Sequence, residues 1–426
     1  MEIIKEFGSK TFSSLKIRNY RLYFLGQGLS QCGNWMHIVA LGWLVLELTG
    51  SGAALGSVLA FRFAPMLLGG LFAGIIVDRF DKRRILYVTQ SLFSLLALCL
   101  SILVYTDTIQ IWMLFANALI IGLIDVVDNP TRQTFVHGMV GRDNVRNAVT
   151  LSSTQANLAR ALGPLIAGSL IASVGIAFCF FVNAVSFGAV LIVLSLMRES
   201  EFHREHSEHK ALGHILEVLS YVASMPIIRT VLLVMAAIGA FSYEFQVSLP
   251  LLAQQTFSGA AADYAALLSA MGAGSVAGGL FAASRHRIAP HEFVISALLF
   301  GLSIVLTSIM PTLSLAIVGM MFVGFFSINL TSLGNTMIQL DAAAHMRGRV
   351  MSLWAMSIFG STLIGGPIIG LIGQYAGARW GLALGGVVAI FAGLYAARTL
   401  LKKDETQPLP DVEFESEDST AENLKL

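Results

Sequence analysis

Scored for apolar and polar positions, the chain breaks into twelve apolar segments. They run over roughly 22–46, 53–77, 85–105, 110–127, 146–171, 174–197, 229–253, 264–284, 291–309, 312–333, 349–372 and 379–401. Most are stretches of about twenty almost uncharged residues, the length at which a helix spans the ~30 Å hydrocarbon core of a bilayer. Membrane β-strands would instead alternate in segments of about ten residues. The pattern predicts an all-α polytopic membrane protein with twelve transmembrane helices.

Basic residues orient these segments. Arg79, Lys82, Arg83 and Arg84 follow the second segment, and Arg132, Arg142 and Arg146 follow the fourth. Arg198, Arg204 and Lys210 follow the sixth, Arg285 and Arg287 the eighth, Arg347 and Arg349 the tenth. The odd-numbered connections are nearly free of Lys and Arg, Arg379 excepted. Cytoplasmic loops retain basic residues, so both termini are placed in the cytoplasm. An even number of spans agrees with that. The expected organisation is a cytoplasmic N-terminus (1–21), a six-helix bundle (22–197), a central cytoplasmic loop (198–228), a second six-helix bundle (229–401) and a disordered acidic tail (402–426). The loop reads as a linker that ends in an amphipathic helix with Leu212, Ile215, Leu216 and Leu219 on one side. Its histidines, His203, His206 and His209, fit a solvated linker better than a metal site.

Composition supports the class. Of 426 residues, 55% are hydrophobic and 12% charged, against about 25% charged in soluble proteins. Cys32, Cys99 and Cys179 lie in apolar segments and read as small buried hydrophobes. A net charge of +1, with no basic stripe interleaved with aromatics, gives no nucleic-acid signal. There is no phosphate-cradling G-x-x-x-x-G-K-[ST] run, and no hydrolase or metal constellation. The reading is of a protein that is not an enzyme, needs no cofactor and draws its energy from a gradient.

The chain also repeats itself. "GGLFAG" at 69–74 returns as "GGLFAA" at 278–283, and "SGAA" at 51–54 returns at 258–261. Asn129 and Gln133 have counterparts in Asn335 and Gln339, and Gly163-Pro164 in Gly366-Pro367. Four matches in one order, offset by 203 to 209 residues, argue for a duplicated six-helix unit. Parallel repeats joined by a long cytoplasmic loop are a known transporter architecture.

The charged stretch "GIIVDRFDKRR" at 74–84 falls after the second segment. It resembles the loop signature of the major facilitator superfamily, Gly-x-x-x-Asp-Arg-x-Gly-Arg-Arg, with Gly74, Asp78, Arg79, Lys82 and Arg83 matching and Asp81 in place of the second Gly. "ALGPLIAG" at 161–168 resembles the Gly-Pro motif of drug/proton antiporters, matching at Gly163, Pro164 and Gly168, with Ala159 and Ala167 replacing two glycines. Together with "RNYRLYFLGQGLS" and "FRFAPMLLGGLFAG", these motifs resemble the efflux branch that includes enterobactin exporters and macrolide efflux proteins. The resemblance covers residues 15–402. It implies the major facilitator fold, with two pseudo-symmetric six-helix halves, in a bacterial plasma (inner) membrane. It also implies a monomer that exports an amphipathic small molecule, drug or siderophore-like, by proton-coupled alternating access. A facilitator or importer of a metabolite or lysolipid, and a receptor or scaffold on the same fold, stay open.

Candidate residues follow. Gln27, Gln31 and Asn34 share one face of the first helix, and Asn329, Ser332, Asn335 and Gln339 one face of the tenth. In this fold those helices line the central cavity. His37 lies near mid-span but off that face. Intramembrane charges are functional candidates by default, which selects Arg62, Asp125, Arg160 and Glu244. Glu244 leads for proton coupling, because the protonation of a carboxyl there would respond to which side is open; Arg160 and Asp125 join it. Gly74, Asp78, Arg79, Arg83 and Asp128 are assigned to a cytoplasmic latch between the halves. Gly163, Pro164, Gly168, Gly366 and Pro367 are assigned to the interface, where small residues permit close helix approach.

Overall fold

The structure, a computed structural model, describes residues 13–69, 76–77, 79–198, 201–202, 215–285, 289–343 and 346–401. Among them every regular element is helical and no strand occurs. Helix α1 (Arg18–Thr49) stops at Gly50, whose φ of 60° lets its N–H return to the Leu46 carbonyl. Helix α2 (Gly52–Gly69) follows at once. Helix α3 (Lys82–Tyr105) starts where the Asp81 carboxylate accepts from the Arg84 N–H. Helices α4 (Ile111–Gly141) and α5 (142–173) form one continuous stretch bent at Gly141, where φ is 67°. The expected polar connection between them therefore stays helical. Helix α6 (Ile176–Leu196) completes the first part of the chain.

Helix α7 (Pro226–Thr256) is interrupted between Phe241 and Phe245, resumes, and ends in a π turn at Leu252–Thr256. Then come α8 (Ala261–Ala283), α9 (Pro290–Ser308) and α10 (Leu313–Asp341). Helix α11 (Arg347–Tyr375) contains a π turn at Met356–Gly360, and α12 (Ala378–Leu400) closes the fold.

Among the described residues, nine helices are long and apolar enough to cross a membrane, and Gly52–Leu67 is a shorter apolar one. Neither α1 nor the 142–173 stretch is among the nine. In α1, Gln27, Ser30, Gln31, Asn34 and His37 dilute the apolar sequence.

A short helix, Ile215–Ser224, precedes α7. It buries Val218 and Val222, whereas Leu219 of the expected apolar side is 48% exposed. The cause is a docking site: Tyr221 Oη accepts from the Ala343 N–H, and Glu217 pairs with Arg349 at 3.0 Å. The expected histidine cluster and the acidic tail lie outside the described residues.

Two seams join the early and late helices. Along α2 and α11, a Cβ on Gly56 would lie 2.1 Å from the Gly366 carbonyl oxygen, and one on Gly370 would lie 2.1 Å from that of Gly52. Along α5 and α8, a Cβ on Gly272 would lie 2.6 Å from the Ala161 Cα. Backbones this close admit only glycine. The closest approaches of the α2–α11 seam, at Gly52 and Gly56, lie in the first two turns of α2, near its junction with α1. Among the described residues, helices α4 and α10 do not pack extensively on one another.

Candidate functional site

One polar cluster lies among α1–α4. The Asp128 carboxylate is fully buried; Thr89 Oγ1 donates to it at 2.6 Å and Gln90 Nε2 at 2.8 Å. Arg132 Nε lies 2.7 Å from the other oxygen. Arg132 also donates to Gln27 Oε1 and Asn129 Oδ1. A turn nearer the middle, Asp125 pairs with Arg62 of α2 at 3.4 Å. Gln31, Asn34, His37, Arg62, Asp125 and Arg132 border a cavity of about 40 Å³, room for about two or three waters. His37 is buried edge-on to Phe180 at 4.9 Å, and neither ring nitrogen has a hydrogen-bond partner.

The structure does not bring the expected latch residues onto Asp128. Arg83 donates to the carbonyls of Leu194 and Met197, with its guanidinium 5.8 Å from the Tyr87 ring centre. Arg79 is exposed. Gly74 and Asp78 lie outside the described residues. Asp128 has its charge met by an arginine one turn along its own helix and one of its oxygens met by two donors on α3, so its partners are local.

Glu244 sits at the interruption of α7, not inside a regular helix, and is 3% exposed. Its carbonyl accepts from Val247 and Ser248 and restarts the helix. Its carboxyl group has the Thr362 side chain of α11 as a neighbour, and its buried Oε1 has no hydrogen-bond partner. A Cβ on Gly366 would lie 3.5 Å from Glu244 Oε2. The carboxyl group therefore lies against the α2–α11 seam, beside the Gly56–Gly366 approach.

Arg160, on α5, is half-buried with its guanidinium 5.2 Å from the Trp35 ring centre. Tyr243, preceding Glu244, is its electrostatic neighbour. The phenol is hydrogen-bonded by Ser327 and Thr331 of α10. Gly163 admits Trp35: a Cβ there would lie 2.5 Å from the Trp35 Cβ. Gly168 faces Ala265 of α8, and Gly366 faces Gly56. Thus Gly163 serves packing of α5 on α1, while Gly168 and Gly366 serve the seams. Pro164 and Pro367 are both inside helices.

The polar face expected on α10 divides. Ser332 is half-buried and Gln339 donates to Asn335 along the helix. Asn329 is buried and donates to the carbonyls of Gly278 and Phe325, which turns it toward α8. Thr89, Gln90, Trp35 and Tyr243 escaped sequence reasoning. A single polar or aromatic residue in an apolar run carries no periodic signal.

Comparison with known proteins places these features. Residues 9–424 match the family described as transmembrane secretion effector. The staphyloferrin A transporter of Staphylococcus aureus is 27% identical, over 79% of this chain and 85% of that protein. The multidrug efflux pump Tap of Mycolicibacterium fortuitum is 26% identical, over 85% and 87%. The enterobactin exporter EntS of Shigella flexneri is 23% identical, over 83% and 85%. Among solved structures, an inward-facing bacterial homologue of the human lysosomal transporter Spinster aligns with a TM-score of 0.72 at 13% identity, covering 90% of this chain and 98% of that one. A POT-family peptide transporter aligns at 0.74 and 14% identity, covering 90% and 94%.

Proposed function

The chain belongs to the transmembrane secretion effector family of major facilitator transporters, and from that premise we propose that it is a proton-coupled exporter of amphipathic small molecules. It works by alternating access between two six-helix halves, 22–197 and 229–401, with twelve spans and both termini in the cytoplasm of a bacterial cell. The positions of the basic residues support this orientation. On this orientation the end where α4 and α10 stay apart faces the cytoplasm, the arrangement of an inward-open state that loads cargo for export. Relatives named as an efflux pump and an exporter support the direction.

The observation that carries the reading is the placement of Glu244. A buried carboxyl at a break in α7 touches Thr362 and the glycine seam of α2 and α11. Repacking of that seam changes the surroundings of the carboxyl, and so its proton affinity, which is what coupling requires. Asp125, paired with Arg62, is a second proton-handling candidate in the first half. Gln27, Gln31, Asn34 and Ser332 border the route of the cargo.

Expression in an efflux-deficient bacterial host tests this. Cells carrying the native chain are expected to clear a loaded lipophilic dye, and a protonophore is expected to stop clearance. Clearance that persists after the proton gradient is collapsed would contradict proton coupling.

A further inference from the structure

The other arginines inside the bundle have acidic partners: Arg62 has Asp125, and Arg132 has Asp128. Arg160 has none. Among the described residues, no carboxylate pairs with it, and its buried Nε makes no hydrogen bond. A guanidinium held in an apolar interior without a counter-charge is a costly arrangement. Its surroundings are nonetheless built. The Trp35 ring of α1 lies 5.2 Å from the guanidinium carbon. Tyr243 of α7 stands beside it, its phenol oxygen accepting from Ser327 Oγ. Thr331 behind it donates to the Ser327 carbonyl at 2.5 Å. Arg160, Trp35 and Tyr243 are each only partly buried.

Resting on the transport reading above, we propose that Arg160, Trp35 and Tyr243 form the recognition point for a carboxylate carried on an aromatic body, so that the exported compounds are organic anions. The guanidinium fork matches a carboxylate through two parallel N–H donors. Trp35, over whose ring the guanidinium lies, adds aromatic surface beside the fork for the rest of the ligand. Tyr243 and Glu244 are consecutive at the break in α7: one faces the anion point and the other the α2–α11 seam. Occupation of the first is thereby placed next to the proton site.

Equilibrium binding to the full chain in detergent, with no gradient imposed, tests the proposal. The probes are naphthoate and its neutral methyl ester, read by quenching of tryptophan fluorescence. The native chain is expected to prefer the carboxylate by about tenfold or more, the scale of one charge-assisted hydrogen-bonded contact. Arg160→Gln is expected to abolish the preference while still binding the ester, and Arg160→Lys to restore part of it. A native chain that binds the two probes alike, or binds neither, overturns the proposal without any variant. An Arg160→Gln chain that melts as the native one does and keeps the preference also overturns it. Because no gradient is present, failure here leaves coupling at Glu244 standing, and failure of coupling leaves the probe preference standing.

Discussion

Asp125 and Asp128 lie one helical turn apart on α4, yet their partners divide them. Asp128 has two donors, Thr89 and Gln90, on one oxygen and Arg132 as its ion pair, whereas Asp125 has Arg62 at 3.4 Å beside a small cavity. Removing one member of a buried pair leaves an uncompensated charge, at a cost of about 3–5 kcal/mol. Asp128→Ala is therefore expected to lower the thermal unfolding temperature of the purified chain clearly. Replacing Arg62 and Asp125 together by leucine is expected to cost less stability than Asp125→Leu alone, because an apolar pair needs no partner; equal losses would show that the two charges do not stabilise each other. The sequence marked Arg62, Asp125, Arg160 and Glu244 as charges in apolar chain. It could not pair Arg62 with Asp125, which lie 63 residues apart. Nor could it show Trp35 under Arg160, since an aromatic in a spanning segment looks the same whether it faces lipid or a guanidinium.

At the scale of elements, hydropathy made most helices legible, because lipid imposes length and polarity together. It failed where helices depart from regularity. The interruption of α7 at 242–244 has neither Pro nor Gly, and the π turns in α7 and α11 have no local signature. The α4–α5 connection read as a loop because it is polar, but its polarity serves the wet end of a continuous bent helix. The glycine seams were half legible: Gly366 was singled out, but its partner Gly56 comes from the fold. Gly56→Leu is expected to keep α2 from seating on α11. Transport should be lost with expression retained, and a cysteine placed at Gln246, which borders a small cavity with Leu55 and Val58 of α2, should become more accessible to an impermeant thiol reagent added outside. Unchanged transport in that variant would show that the seam does not need to close. The Glu217–Arg349 pair is partly exposed, so Glu217→Gln is expected to change stability by less than about 1 kcal/mol, measured by thermal unfolding.

For the whole molecule, the glycine seams and the separation of α4 from α10 fit one state of the alternating-access cycle proposed above. In that proposed cycle, rocking to the other state opens the α2–α11 seam, and Glu244 is a carboxyl group lying against it. The repeat in the sequence predicts two related halves; it does not predict that the proton candidate sits at the break of α7, between the seam and the Arg160 point. That juxtaposition is the central claim. It is tested most directly by uptake into vesicles reconstituted with the native chain or with Glu244→Gln, under an imposed pH gradient. The native chain is expected to concentrate an aromatic carboxylate against its own gradient, while Glu244→Gln is expected to equilibrate it without concentrating it. Uphill transport by Glu244→Gln at the native rate would contradict the claim.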